Sequence, residues 1–235
     1  MDERFSRSEK ILGQENLLKL HNSRVAVFGI GGVGGYVAEA LARAGVGAID
    51  VIDKDVVSVT DINRQIYALS STLGKYKVEV AKERIKDIFP DCKVTAHAVF
   101  FLPENAGDTD FTVYDYIVDA VDTVAAKLAI AEKAQKENVP VISAMGAGNK
   151  SDATAFKVAD IYKTSVCPLA KVMRSECKKR GIKKLKVVYS EEKPKETHVE
   201  SEKSRKAVPS SVSFVPPVMG FIIAGEVIKD LIKIK

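Results

Sequence analysis

Gly29, Gly31, Gly32 and Gly34 stand in the run Gly29-Ile30-Gly31-Gly32-Val33-Gly34, between an apolar β-branched stretch and a helical pattern. This is the G-x-G-x-x-G spacing of a turn whose backbone amides approach a phosphate at a helix N-terminus. A side chain at Gly31 would block that approach. Asp53 lies roughly 20 residues on, at the end of the next apolar run, where a carboxylate can accept both hydroxyls of a ribose. These residues point to a nucleotide and leave NAD and ATP both open.

The next segment separates the two. Asp53-Lys54-Asp55 is followed by Thr60-Asp61-Ile62-Asn63-Arg64-Gln65, then Gly74-Lys75-Tyr76-Lys77, then Asp119-Ala120-Val121-Asp122. A dehydrogenase needs one ribose carboxylate and an open floor for nicotinamide. It needs no Arg and Lys for a polyphosphate. Arg64 can neutralise phosphate as a fork and Lys77 as a point charge. Asp122 follows an apolar run at a strand end, where a hard carboxylate suits Mg²⁺ shared with phosphates.

The elements that must hold these residues alternate. RVAVFGI (24–30), AIDVID (48–53), KVTAHAV (93–99), YIVDAV (116–121) and VPVISA (139–144) read as strands. GVGGYVAEALARAGV (32–46), VEVAKERIKDIF (78–89) and TVAAKLAIAEKAQKEN (123–138) read as helices between them. SEKILGQENLLKL (8–20) reads as one leading helix, with Ser6 and Glu9 as a capping box. Such alternation implies a Rossmann-like, doubly wound α/β fold with a mostly parallel sheet. After Gly148 the pattern changes to a strand (153–161), a helix (169–180), a short strand (186–190), a charged mobile loop (191–209) and a helix after Pro216-Pro217. One domain over 1–235 is expected. Residues 1–150 would form its nucleotide-binding half, and 151–235 an extension facing the substrate.

Composition agrees with a cored domain. The 235 residues are 46% hydrophobic and 29% charged, with formal net charge +5, which excludes a disordered chain. Cys92, Cys167 and Cys177 have no C-x-x-C spacing, so neither a disulfide framework nor a cysteine zinc ribbon is expected. Reduced thiols in a cytoplasmic protein fit better. Cys177 sits in a helix rich in Lys and Arg that would lower its pKa, although a lone Cys there is more often incidental. His21, His97 and His198 show no ligand spacing. The opening residues have no apolar core for a leader. Charges interrupt the C-terminal apolar stretch, so no membrane span is expected. Lys178, Lys179 and Arg180, with Lys183, Lys184 and Lys186, form a dense basic run, and Lys203, Arg205 and Lys206 a second. A solvated face or contact with a phosphate backbone explains them equally well.

The motifs quoted above resemble the ubiquitin-activating-enzyme-like adenylating superfamily (the ThiF, MoeB and HesA group). RFSRSEKILGQENLLKL, Gly146-Ala147-Gly148, KTSVCPLAKVMR (163–174), VVYSEE (187–192) and SVSFVPPVMGFIIAGEVIKDL (211–231) narrow it further. They are similar to the tRNA threonylcarbamoyladenosine dehydratases, over nearly the whole chain. The resemblance implies an ATP-dependent, ligase-like ring closure of threonylcarbamoyladenosine beside the anticodon, through activation of the threonyl carboxylate. It implies ATP and Mg²⁺, with a monovalent cation as a further candidate. It gives nucleotide and metal roles to Gly29, Gly31, Gly32, Gly34, Asp53, Asp55, Asn63, Arg64, Gln65, Lys77 and Asp122. It implies a homodimer in which Arg7 reaches the partner subunit's ATP. It also implies tRNA, contacted by Lys178, Lys179, Arg180, Lys183 and Lys184, and admits a cysteine desulfurase's sulfur-acceptor protein as partner.

Two positions depart from the family pattern. Asp61 stands where the family has Asn, and its charge would weaken ATP binding unless a cation or proton compensates, or would serve as a metal-side ligand. Cys167 stands where the family has Asp. Three other readings share some of these features. A ThiF- or MoeB-type adenylyltransferase of a carrier protein is disfavoured by the missing C-x-x-C pairs. An NAD oxidoreductase is disfavoured by Arg64, Gln65 and Lys77. A non-catalytic binding subunit is disfavoured by Arg64, Lys77 and Asp122.

Overall fold

The structure, a computed structural model, describes residues 2–196 and 210–234. Most of the loop expected over 191–209 lies outside the described residues. So do His198 and the second basic run, Lys203, Arg205 and Lys206.

Seven strands form one sheet: β1 (Arg24–Phe28), β2 (Ala48–Ile52), β3 (Lys93–His97), β4 (Tyr116–Asp119), β5 (Val141–Ala144), β6 (Phe156–Asp160) and β7 (Lys186–Ser190). Their order is β3-β2-β1-β4-β5-β7-β6. All neighbours run parallel except the edge pair β6 and β7. β4 is buried throughout, and β1, β2 and β5 are buried after their first residue, because helices cover both faces and alternation is lost.

The helices are α1 (Ser6–Leu12), α2 (Gln14–Asn22), α3 (Gly34–Arg43), α4 (Lys77–Ile88), α5 (Val124–Glu137), α6 (Pro168–Lys179) and α7 (Val215–Ile232). The single leading helix expected from the sequence is two. Gly13 takes φ +79° and ψ 155°, a conformation that no helix continues through, and separates α1 from α2. The expected capping box is absent as well. Ser6 is already inside α1, and Asp2 instead caps the preceding turn by accepting the Arg4 amide at 3.0 Å. β1 to β4 end one or two residues before their apolar runs do. The extra residues turn out of the sheet and into the crevice.

β1 is flanked by β2 on one side and β4 on the other, so the chain leaves β1 at the point where strand order reverses. Open α/β sheets bind ligands outside the carboxyl ends of strands at such a point. The glycine turn after β1 and the loop after β4 face each other there. No described helix is long and apolar enough to cross a membrane.

Candidate functional site

A cleft of about 370 Å³ opens at that switch point. Gly29, Gly31, Asp53, Asp55, Ala120 and Asp122 line it, and Val99 and Phe100 form its outer wall. The glycines have separable jobs. Gly29 has φ +87°, and a Cβ there would lie 2.6 Å from the Ala120 carbonyl oxygen. A Cβ on Gly34 would lie 1.8 Å from the Gly29 oxygen. Both glycines close the turn onto β4. A Cβ on Gly31 would meet only the Gln65 amide nitrogen, at 3.9 Å. The fold therefore does not need Gly31 bare, and the space over it opens into the cleft.

Asp53 is held by the turn itself. Its two oxygens accept the Ile30 amide at 2.7 Å and the Asp55 amide at 2.8 Å. Burial pushes its carboxyl above the usual Asp range, against the pull of those amides and of Lys77. The remaining lone pairs face the cleft, where ribose hydroxyls could donate to them.

The cations stand behind the lining, Lys77 against Asp55 and Arg64 against Gly32. Lys77 begins α4 and is 5% exposed. Its Nζ lies 3.2 Å from Asp55 and 3.7 Å from Asp61. The Arg64 guanidinium donates to the Thr60 carbonyl at 2.8 Å and to the Asn63 side chain at 2.9 Å, and lies 3.5 Å from Asp61. Its stem reaches toward Gly32, where a Cβ would be 3.2 Å from the Arg64 Cγ.

Asp61 sits between them, buried. It accepts the Ser58 amide and hydroxyl, each at 3.0 Å, and the Gln65 side-chain amide at 2.6 Å. Asp61 thereby orients Gln65 and faces two cations that offset its charge, the compensation its departure from the family pattern calls for. Asn63 departs from its expected place. It is exposed, donates to the Ser211 carbonyl at 3.0 Å and does not line the cleft.

Asp122 projects from the β4–α5 loop, exposed, with the Thr123 hydroxyl donating to it at 3.2 Å. Among the described residues no three His, Cys, Asp or Glu side chains cluster to hold a metal by themselves. A lone carboxylate lining a cleft could hold a hard cation only jointly with phosphates.

The outer wall has almost no mark in the sequence. Phe101 packs edge-on against Phe28 of β1, ring centroids 4.9 Å apart, and this anchors Val99 and Phe100 over the cleft. The Lys54 Nζ lies 3.9 Å above the Phe100 ring. The one signal is an apolar run, VFFL, continuing past the end of a strand.

Several expected site residues are elsewhere. Arg7 is exposed on α1 and does not line the cleft of its own chain. α6 starts beside Gly146, just past the end of β5, since the Cys167 Sγ and the Leu169 Cβ would lie 3.7 and 3.8 Å from a Cβ there. It runs away from there for 12 residues, about 18 Å. Lys178, Lys179 and Arg180 are at its far end, with Lys183 and Lys184 in the loop entering β7. They stand at the opposite end of the sheet from the glycine turn. Lys183 and Lys184 line a shallow cavity there together with Asp160 and Asp230.

The cysteines are buried. The basic helix does not lower the Cys177 pKa as expected. Burial pushes that thiol up to about 11, and Cys92 likewise to about 11. Neither is a thioester nucleophile.

Residues 5–235 match the ThiF family. The chain belongs to that family. It is 47% identical to the tRNA threonylcarbamoyladenosine dehydratase of Bacillus subtilis over 240 residues, 97% of this chain and 94% of that one. It is 40% identical to the dehydratase of the same name from Haemophilus influenzae over 178 residues, 76% and 68% of the two chains. Among solved structures, it superposes on the Escherichia coli tRNA N6-threonylcarbamoyladenosine dehydratase TcdA. The TM-score is 0.90 for the complex with AMP and 0.88 for that with ATP, at 33% identity, with 98% of this chain and 94% of that chain covered. Within the ThiF family, then, the likeness extends through the edge strands and α7, where the sequence motifs had pointed.

Proposed function

We propose that this chain is an ATP-dependent tRNA threonylcarbamoyladenosine dehydratase. The observation that carries the reading is the Gly31 side of the cleft. Open space lies over that residue, the ribose carboxylate Asp53 lines the cleft beside it, the Gln65 amide is the nearest group on its open side, and Lys77 and Arg64 stand behind Asp55 and Gly32. Relatives that share nearly the whole chain bear this name, and TcdA holds AMP and ATP in its structures.

The chemistry follows from these parts. A carboxylate is a poor electrophile until one oxygen becomes part of a leaving group. The threonyl carboxylate attacks the α-phosphorus of ATP, and pyrophosphate leaves. The neighbouring carbamoyl group then attacks the activated carbonyl, the ring closes, and AMP leaves with the oxygen. Ring closure is intramolecular and needs positioning more than a strong base. Arg64 and Lys77 neutralise charge that moves onto the phosphates, which is the main contribution. Phe100 supplies a wall for the adenine. Asp122 would hold Mg²⁺ jointly with the phosphates, and the ion would supply further charge neutralisation there.

The same reading includes a homodimer, with Arg7 serving the partner subunit's site. Ile62, Leu69, Leu73, Tyr76, Phe214 and Phe221 are each at least 40% exposed, apolar cover that a second copy would supply. It also divides the chain's labour: residues 1–150 hold the nucleotide, and the extension over 151–235 faces tRNA.

Mass spectrometry of tRNA nucleosides after incubation with protein and ATP is the test. Threonylcarbamoyladenosine should lose the mass of one water, with AMP and pyrophosphate released. An unchanged nucleoside refutes the reading, and ADP with phosphate refutes the adenylate route.

A further inference from the structure

Beneath the cleft lies a buried charged cluster that the activation chemistry does not touch. Lys127, in the first turns of α5, and Asp119, the last residue of β4, are each 1% exposed. The Lys127 ammonium donates to the two Asp119 oxygens at 3.2 and 3.1 Å and to the Ala144 carbonyl at 2.7 Å. Its Nζ also lies 3.4 Å from the Ser143 hydroxyl, which in turn donates to Asp119. Asp119 accepts one more bond, from the Val121 amide at 3.2 Å.

Each of these bonds ends within two residues of the end of β4 or β5. β4 leaves the sheet at Asp119 and β5 at Ala144. Residues 120–123 carry Asp122, and residues 145–148 carry the Gly146-Ala147-Gly148 turn. There is little slack above the cluster, because the glycine turn rests on the Ala120 carbonyl where a Cβ on Gly29 would clash. A displacement of the β4 end therefore reaches the phosphate-facing turn directly.

A fully buried ion pair seldom adds stability beyond an uncharged pair of similar volume, because desolvation offsets the attraction. What it does impose is geometry. An ammonium with three donors and fixed acceptors admits one arrangement of the two strand ends. We propose that Lys127 is a positioning residue: it ties the ends of β4 and β5 together and thereby holds the 120–123 loop with Asp122 turned into the cleft. Only the turnover readout of this proposal rests on the dehydratase reading.

The test uses the full chain with Asp119→Asn and Lys127→Met combined, which removes both charges at similar volume and leaves no buried charge unpaired. The expected result is a melting temperature close to that of the parent. Amide exchange should be about tenfold faster in peptides over 120–124 and 144–148, and unchanged in β1. Dehydration kcat should fall about tenfold or more, with the KM for ATP nearly constant. Lys127→Arg, which can still donate to Asp119 and the Ala144 carbonyl, should recover turnover relative to Lys127→Met. A well-folded double variant with unchanged exchange in both peptides overturns the proposal. If the double variant does not fold, Ser143→Ala decides. Faster exchange at 144–148 with slower turnover supports the tie, and parental behaviour on both counts refutes it. Should the parent itself not dehydrate tRNA while exchange still responds, the dehydratase reading fails and the positioning role stands.

Discussion

At the scale of single residues, the two ends of the glycine motif should behave oppositely when a methyl group is added. Gly34→Ala drives a Cβ into the Gly29 carbonyl, and the backbone must move. Its expected cost is about 3 kcal/mol or more of stability, seen as a lowered melting temperature. Gly31→Ala meets no protein atom closer than 3.9 Å. Its stability should stay within about 0.5 kcal/mol of the parent. Nucleotide affinity by calorimetry should fall about tenfold, about 1.4 kcal/mol. Equal effects on stability would remove the assignment of Gly31 to the ligand. Asp53 adds a pH dependence. Its folded pKa is raised by burial, so it takes up a proton at higher pH than an ordinary Asp. The sign for folding is that the folded form binds the proton first, so this group lowers stability as pH rises through its raised pKa. The sign for binding is the reverse, since a protonated Asp53 loses acceptor capacity for ribose. Adenosine affinity should therefore weaken on acidification while ordinary Asp residues are still ionised. Asp53→Asn should bind weakly and lose that dependence, and a parental pH profile in the variant would count against the role.

At the scale of elements, what was legible followed from local pattern, and what was not depended on tertiary contact. The parallel strands, α3 to α5 and the nucleotide turn all announce themselves by apolar runs, period and glycine spacing. The Val99–Phe101 wall becomes a site feature only because Phe101 finds Phe28, and Lys127 becomes a strand tie only because β4 and β5 are neighbours. Neither contact has a sequence signature. Asp61 was legible as a departure from the family pattern, yet the cations that offset its charge, Arg64 and Lys77, are visible only once the chain is folded. The leading helix is the clearest disagreement. Residues 8–20 have helical period, and Gly13 lies inside that period. With Gly13 in a glycine-only conformation, Gly13→Ala should destabilise the protein by about 1–3 kcal/mol, although its Cβ would meet nothing within 4 Å. A continuous helix would instead gain about 1 kcal/mol from the same substitution. Thermal denaturation thus distinguishes the two by sign, and nucleotide affinity should not change in either case.

At the scale of the whole molecule, the question is how a basic run at one end of the sheet can serve a cleft at the other. Lys179 pairs with Glu176 at 2.6 Å, and Arg180 lies 3.7 Å from both Glu132 and Glu176. Those carboxylates already absorb part of their charge. Lys178, Lys183 and Lys184 are exposed and make no ion pair among the described residues. They stand at the opposite end of the sheet from the cleft, Lys183 and Lys184 beside the first residues of β4, β5 and β7. No side chain spans that separation, so these lysines cannot touch the reacting nucleoside. A tRNA whose anticodon loop enters the cleft has a stem that must pass along the protein, and a phosphate backbone is what such lysines hold without reading sequence. Charge reversal at Lys183→Glu and Lys184→Glu together should then raise the KM for tRNA and leave ATP affinity unchanged. The slope of log affinity against log salt should become shallower by roughly 0.7–0.9 for each phosphate that the variant no longer neutralises. Because kcat is set in the distant cleft, saturating tRNA should restore full turnover. A variant with the parental salt slope would place the stem on another face and return these lysines to ordinary solvated surface.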